Sequence, residues 1–223
     1  MTISLAEELV LLAYDDEGAA SGTSTWLDYG IAGAHLVELA LAERIALTDG
    51  RVDVVDATPT GSPRADAALA TIAADAKRRK PDDWIYRLSK KARQPVLDEL
   101  VGAGILERRA DRVMRIFPVT RYPAPHGVEP VAETERRALL RAAIDGSDTA
   151  PDTRTLVLCT LIAALDWEKR VFPDLPRKET KKRLKELGES HWAGSAVGRL
   201  IKDLQAAIMM TTVTIAVAAT AGS

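Results

Sequence analysis

Lys77 to Arg93 reads KRRKPDDWIYRLSKKAR, eight basic residues against two acids, a local charge of +6 in a chain whose formal net charge is −2. Like charges crowded in this way repel one another unless carboxylates elsewhere in the fold neutralise them or an anion is bound. Two readings stay open: a solvated face, or a site for phosphate, nucleic acid or an acidic membrane. Lys90 and Arg93 focus the second reading. The spacing predicts a helix from about Ser89 to Ala103, in which residues three apart share a face. Both also lie near its N-terminus, where the helix dipole favours negative charge. Two cations at such a place can hold a phosphate group, with Arg87 and Lys91 as accessory cations. A second basic run, Lys169 to Lys185, carries Asp174 and Glu179 and is spaced as an ordinary solvated helix.

Other side chains with chemistry assemble into nothing. No phosphate-binding glycine loop, GxSxG, HExxH or CxxC motif occurs. His35, His126 and His191 lie far apart, so no metal-ligand spacing is visible. The single cysteine, Cys159, excludes an intrachain disulfide and, within TLVLCTLIAAL, reads as a buried, inert thiol. His35 sits in an apolar helix and reads as a core residue, and Asp82-Asp83 reads as a helix cap. A binding protein without metal or cofactor, rather than an enzyme, is therefore expected. Thirty Lys+Arg against 32 Asp+Glu disfavours a globally basic nucleic-acid binder.

The elements that must position these residues are mostly helical. Leu5 to Tyr14 begins with Ser4 and Glu7 in capping-box spacing. Leu27 to Glu43 is apolar over more than half its circumference and belongs in the middle of a core. Asp49-Gly50, between β-branched runs within Arg44 to Val55, predicts a hairpin. Arg64 to Arg79 reads as an amphipathic helix with Ala65, Ala68, Leu69, Ile72 and Ala76 inside, ended by Pro81. Ile105 to Val119 reads as a second hairpin, turning at Ala110-Asp111. Ala132 to Ile144, Thr153 to Leu165, Lys178 to Leu187 and Ala193 to Ala219 complete the helices. Residues 206–221, AAIMMTTVTIAVAATA, lack charge but are shorter than the roughly 20 residues a spanning helix needs, so they read as a buried helix. The expected architecture is mainly α: one domain over residues 1–223, a helix bundle wrapped by amphipathic helices with short β-hairpins. Two acids interrupt the first apolar run, so no signal peptide is read and a cytoplasmic location is expected. A chain rich in Ala and Arg and without Asn has the composition of a GC-rich bacterial genome.

Four segments, in this order, resemble the family of Golgi phosphoprotein 3 and vacuolar protein sorting protein 74: LAEELVLLAYDDEG, TSTWLDYGIAGAHLVELALAERIAL, TPTGSPRADAAL and ARQPVLDELVGAGILERRADRVMRIFPVTRYP. The resemblance spans nearly the whole chain. It implies a helical domain that binds phosphatidylinositol 4-phosphate, docks peripherally on membranes and acts as an adaptor for protein tails. It also implies homo-oligomers formed through a hairpin. By the segment match, the lipid-headgroup residues are Trp26, Lys90 and Arg93. The family's helix Arg falls on Ala32, so one cation is missing, and Trp26 stands closer to Gly30 than the family pattern has it. The oligomerisation hairpin falls on Ile105, Val113, Arg115 and Phe117. In a bacterium, which has no Golgi, the resemblance would imply membrane docking without trafficking.

Two other functions remain in view. Helix, glycine and a basic hairpin between Lys90 and Val119 also match a winged-helix DNA-binding domain. That fold needs two short helices packed before its recognition helix, where this chain has KRRKPDDWIYRL. The third is a scaffold for protein tails without lipid binding.

Overall fold

The structure is a computed structural model describing residues 3–20, 24–114, 116–191 and 201–209. Its centre is α2 (Ser24–Leu41), in which every residue from Tyr29 to Val37 is buried, so each side of the helix is enclosed. Against it lie α1 (Leu5–Ala13), α3 (Pro63–Ala73), α4 (Pro81–Leu88) and α7 (Thr153–Ala164), the last buried along its length from Thr155. Around this centre are α5 (Arg93–Gly102) and α6 (Val131–Asp145) on α1, then α8 (Glu168–Val171) and α9 (Arg177–His191) on α7. A helix α10 over residues 201–209 buries Ile201, Leu204, Ala207 and Ile208. The fold is mainly α, as the sequence implies. No helix among the described residues is long and apolar enough to cross a membrane. Of the apolar stretch 206–221, only 206–209 lie within the described residues.

Local chemistry explains the ends of the first helices. Ser4 Oγ accepts from Glu7 N–H at 3.2 Å while Glu7 Oε2 accepts from Ser4 N–H at 2.7 Å, the reciprocal capping box expected for α1. Glu38 of α2 caps the same terminus by accepting from Leu5 N–H at 2.7 Å. Strands β1 (Ile45–Thr48) and β2 (Arg51–Val54) pair antiparallel, with Ile45 opposite Val54. Asp49 and Gly50 turn between them at φ 53° and 70°, the positive values a two-residue hairpin needs.

Other expectations are corrected. The helix predicted to run to Arg79 stops at Ala73, and Ala76 is exposed. Pro81 does not end that helix; it opens α4 at its first position, where its missing N–H costs nothing. The predicted Ser89–Ala103 helix is broken, because Lys91 takes φ 61° between α4 and α5. The second hairpin is β3 (Arg109–Val113) with β4 (Phe117–Arg121), and it turns beyond Val113, where Met114 has φ 52°. Ala110 and Asp111 are mid-strand, paired with Thr120 and Val119, and Asp111 Oδ2 accepts from Arg121 Nε at 2.6 Å. Ile105 lies outside the strands and packs against the core.

The α1–α2 loop is pinned to the end of β4 at Gly18. Its carbonyl accepts from Tyr122 N–H at 2.8 Å, and its φ is +75°. A Cβ there would lie 2.1 Å from Pro123 N and 2.3 Å from Tyr122 C, both backbone atoms. Gly18→Ala is therefore expected to cost roughly 2–4 kcal/mol, combining left-handed strain with overlap. At about 2–4 °C per kcal/mol for a chain of this size, thermal melting should fall by about 4–16 °C. Gly61→Ala is the control, since Gly61 also has positive φ but nothing within 4 Å. Equal melting of the two variants would contradict the pinning.

Candidate functional site

The first turns of α2 and α5 meet at Asp28 and Arg93. Ala92, the N-cap of α5, offers no side-chain acceptor. Asp28 supplies one: its Oδ1 accepts from Arg93 N–H at 3.1 Å and lies 4.0 Å from Arg93 Nε. Burial raises the Asp28 carboxyl above its ordinary value, and the Arg93 charge opposes that rise. Behind Arg93 stands Tyr14, whose phenol burial pushes up to about 12, again with Arg93 opposing. Tyr14 meets Tyr122 edge to face at 6.0 Å, and Tyr122 OH accepts from Gln94 Nε2 at 3.1 Å. Arg93 thus ties α5 to α1 and α2, and the chain's own carboxylate already sits at the α5 N-terminus.

The break at Lys91 places Lys90 in the turn before α5, so Lys90 and Arg93 do not share one helix face. Lys90 is exposed, with Nζ 4.9 Å above the Tyr86 ring. Among the described residues no carboxylate lies within 4.0 Å of Lys90 or Lys91. The +6 segment divides by residue type. Arg78 pairs with Asp53 at 2.6 Å, Arg79 with Asp75 at 2.7 Å and Arg87 with Asp75 at 3.4 Å. Arg79 and Arg87 also stack on the buried Trp84 ring, at 6.0 and 5.8 Å. The planar guanidinium forks hold the fold together, while the lysines are left to solvent. Lys80 and Lys90 are further separated by the length of α4, about 12 Å at 1.5 Å per residue.

Trp26 is half-buried in the first turn of α2. It precedes Asp28 by two residues, about 200° around the helix, so its indole leaves α2 on another side from the Arg93 contact. Ala32 is fully buried in the core, not at the surface. In the hairpin, Phe117 is 60% exposed, next to Ile116 at 73% and Met114 at 80%. Arg115 and the side chain of Val113 lie outside the described residues. The second basic run is largely compensated: Arg177 pairs with Asp166 and Glu168, Lys181 with Asp166, and Lys182 with Glu186.

Residues 5–204 match the sequence profile of Golgi phosphoprotein 3 (GPP34). The chain belongs to the Golgi phosphoprotein 3 family. The match takes in α1, α2, the Lys90–Arg93 turn and the hairpin, so every element of the candidate site lies inside the family region. The Golgi phosphoprotein 3 family is not an enzyme family. Among the described residues no group of His, Cys, Asp or Glu is placed to hold a metal ion. Cys159 is enclosed, and burial pushes its thiol up to about 12, well away from thiolate chemistry at neutral pH. Asp28 and Tyr86 are the site residues that sequence reasoning missed. Tyr86 stands four before Lys90, a spacing that brings side chains together at a helix end. Asp28 carries no such signal, being 65 residues from the helix it caps.

Proposed function

We propose that the protein is a peripheral membrane adaptor that binds an anionic, phosphoinositide-like headgroup with Lys90 and Lys91 beside the α5 N-terminus. Arg93, half-buried behind them, is the inner contact. The observation that supports this most is that, among the described residues, Lys90 and Lys91 have no carboxylate within 4.0 Å while Arg78, Arg79 and Arg87 of the same segment are all paired. The exposed Met114–Phe117 tip is the surface for self-association, and protein tails are the clients of the assembled adaptor. Peripheral attachment follows from the headgroup contact.

The DNA-binding reading is weaker. The stretch KRRKPDDWIYRL does contain a helix, α4, so the decision falls to packing. Helices α3, α4 and α5 each pack on α2, and α5 also on α1, rather than on one another as in the mutually packed trio of a winged helix.

Each basic residue near an anionic surface contributes about 1 kcal/mol. Lys90→Ala with Lys91→Ala is therefore expected to weaken sedimentation with vesicles containing phosphatidylinositol 4-phosphate by about 30-fold. Neutral phosphatidylcholine vesicles should bind neither protein. Equal binding to neutral and acidic vesicles, or affinity unchanged in the double variant, would overturn the proposal.

A further inference from the structure

His35 and Glu38 stand three apart on α2. Each has a buried atom with no hydrogen-bond partner among the described residues, Nδ1 of His35 and Oε2 of Glu38. The two atoms face each other at 3.8 Å, on side chains 8% and 14% exposed. Buried polar atoms are seldom left unpaired, so the gap has a physical cause. With a proton between them the atoms would close to about 2.7–2.9 Å. At 3.8 Å they stand apart, as two acceptors do. The other oxygen of the same carboxylate, Oε1, accepts from Leu5 N–H at 2.7 Å and so holds the N-terminus of α1.

We propose that His35 and Glu38 form a proton-operated clasp between α2 and the start of α1. While His35 is neutral with its proton on Nε2, two lone pairs oppose each other. Protonation, which a histidine undergoes between about pH 8 and 5, turns Nδ1 into a donor that closes on Glu38 Oε2. The carboxylate that caps α1 is then fixed from both sides. The protonated form gains a partner that the neutral form lacks, so the added stability is present in acid and lost as pH rises. The charges brought by the elements packed on α2 are already engaged elsewhere. On α1, Glu7 accepts from Ser4 N–H and Glu8 from Arg136 and Arg154, the latter on α7. On α3 and α5, Arg64 pairs with Glu99, Asp66 accepts from Thr60, Arg93 stands at Asp28, and Asp98 pairs with Arg108. The charged side chains of α4 and α10 are exposed, and β1 has none. Neither residue belongs to the headgroup site, so the clasp stands apart from that reading.

The test follows thermal melting of wild type, His35→Gln and Glu38→Gln between pH 8 and pH 5.5. Differences between the proteins are read, so that titration of other carboxylates cancels. Over that range wild type should gain about 3–12 °C on His35→Gln, the span of one charge-assisted hydrogen bond in a chain of this size. Glu38→Gln keeps an oxygen for Leu5 N–H and offers Nδ1 an amide donor at every pH. It should melt no lower than wild type at pH 8 and lose the gain in acid. Differences that stay constant with pH would overturn the clasp. The ring nitrogen resonances of His35 in the wild-type protein give a readout that needs no variant. A bare Nδ1 at pH 8 and two protonated nitrogens at pH 5.5 are expected. A proton already on Nδ1 at pH 8, or a ring still neutral at pH 5.5, would overturn the proposal.

Discussion

Ala32→Arg should destabilise the protein rather than build a better lipid site. The resemblance places a headgroup-binding Arg at this position, which makes the substitution look like a repair. The fold answers otherwise: Ala32 is fully buried, within a run of α2 enclosed on every side. A guanidinium there enters a packed core with no carboxylate assigned to it. An uncompensated buried charge costs about 3–5 kcal/mol, and the added volume costs more. At about 2–4 °C per kcal/mol, melting should fall by at least 6 °C. Ala32→Leu tests the volume alone and should lose less. An Ala32→Arg protein that melts like wild type and binds phosphoinositide vesicles more tightly would show that α2 can turn this position outward. Retained folding with unchanged binding would leave the burial argument without force.

The contrast between Ala32 and Lys90 shows what the sequence carries and what it does not. The central place of α2 was legible because its apolar residues cover more than half the circumference, and only a core tolerates that. The Ser4–Glu7 box and the Asp49–Gly50 turn were legible because each is decided within four residues. The α4–α5 break was not, because Lys91 adopts a positive φ that no glycine or asparagine announces. The hairpin turn was misplaced for a related reason. Asp111, a favoured turn residue, is recruited as a cross-strand partner of Arg121, which leaves Met114 with the positive φ. Sequence also made the +6 segment look continuous. Its arginines are neutralised by Asp49, Asp53 and Asp75, residues whose proximity depends on how β2 and α3 pack. Local patterns therefore located the elements and the lysines. The anion already resident at the α5 N-terminus is a long-range contact and only the fold reveals it.

A second large effect is expected at Glu8, which anchors the helix that carries Tyr14. Its side chain is 7% exposed and faces two guanidiniums. Arg136 Nε donates to Oε1 at 2.9 Å and Arg154 Nε donates to Oε2 at 2.7 Å, linking α1 to α6 and α7. Arg136 Nη1 also donates to Thr155 Oγ1 at 3.1 Å, and Arg154 donates to the Ile3 carbonyl. Burial raises the Glu8 carboxyl above its ordinary 4.5, and the arginines pull it back only part of the way. An ion triad of this kind adds little net stability, yet breaking it is costly, because two cations are left facing each other with only the half-exposed Asp152, 3.8 Å from Arg136, as counter-charge. Glu8→Ala should lose about 3–5 kcal/mol, a fall of about 6–20 °C in melting temperature. Glu8→Leu combined with Arg136→Met and Arg154→Leu should recover most of that loss, since no charge remains unpaired. Recovery by the triple variant separates electrostatic loss from simple cavity formation. A Glu8→Ala protein melting within about 2 °C of wild type would instead mean that Arg136 and Arg154 reach solvent without strain, and that α1 is held by its apolar face alone.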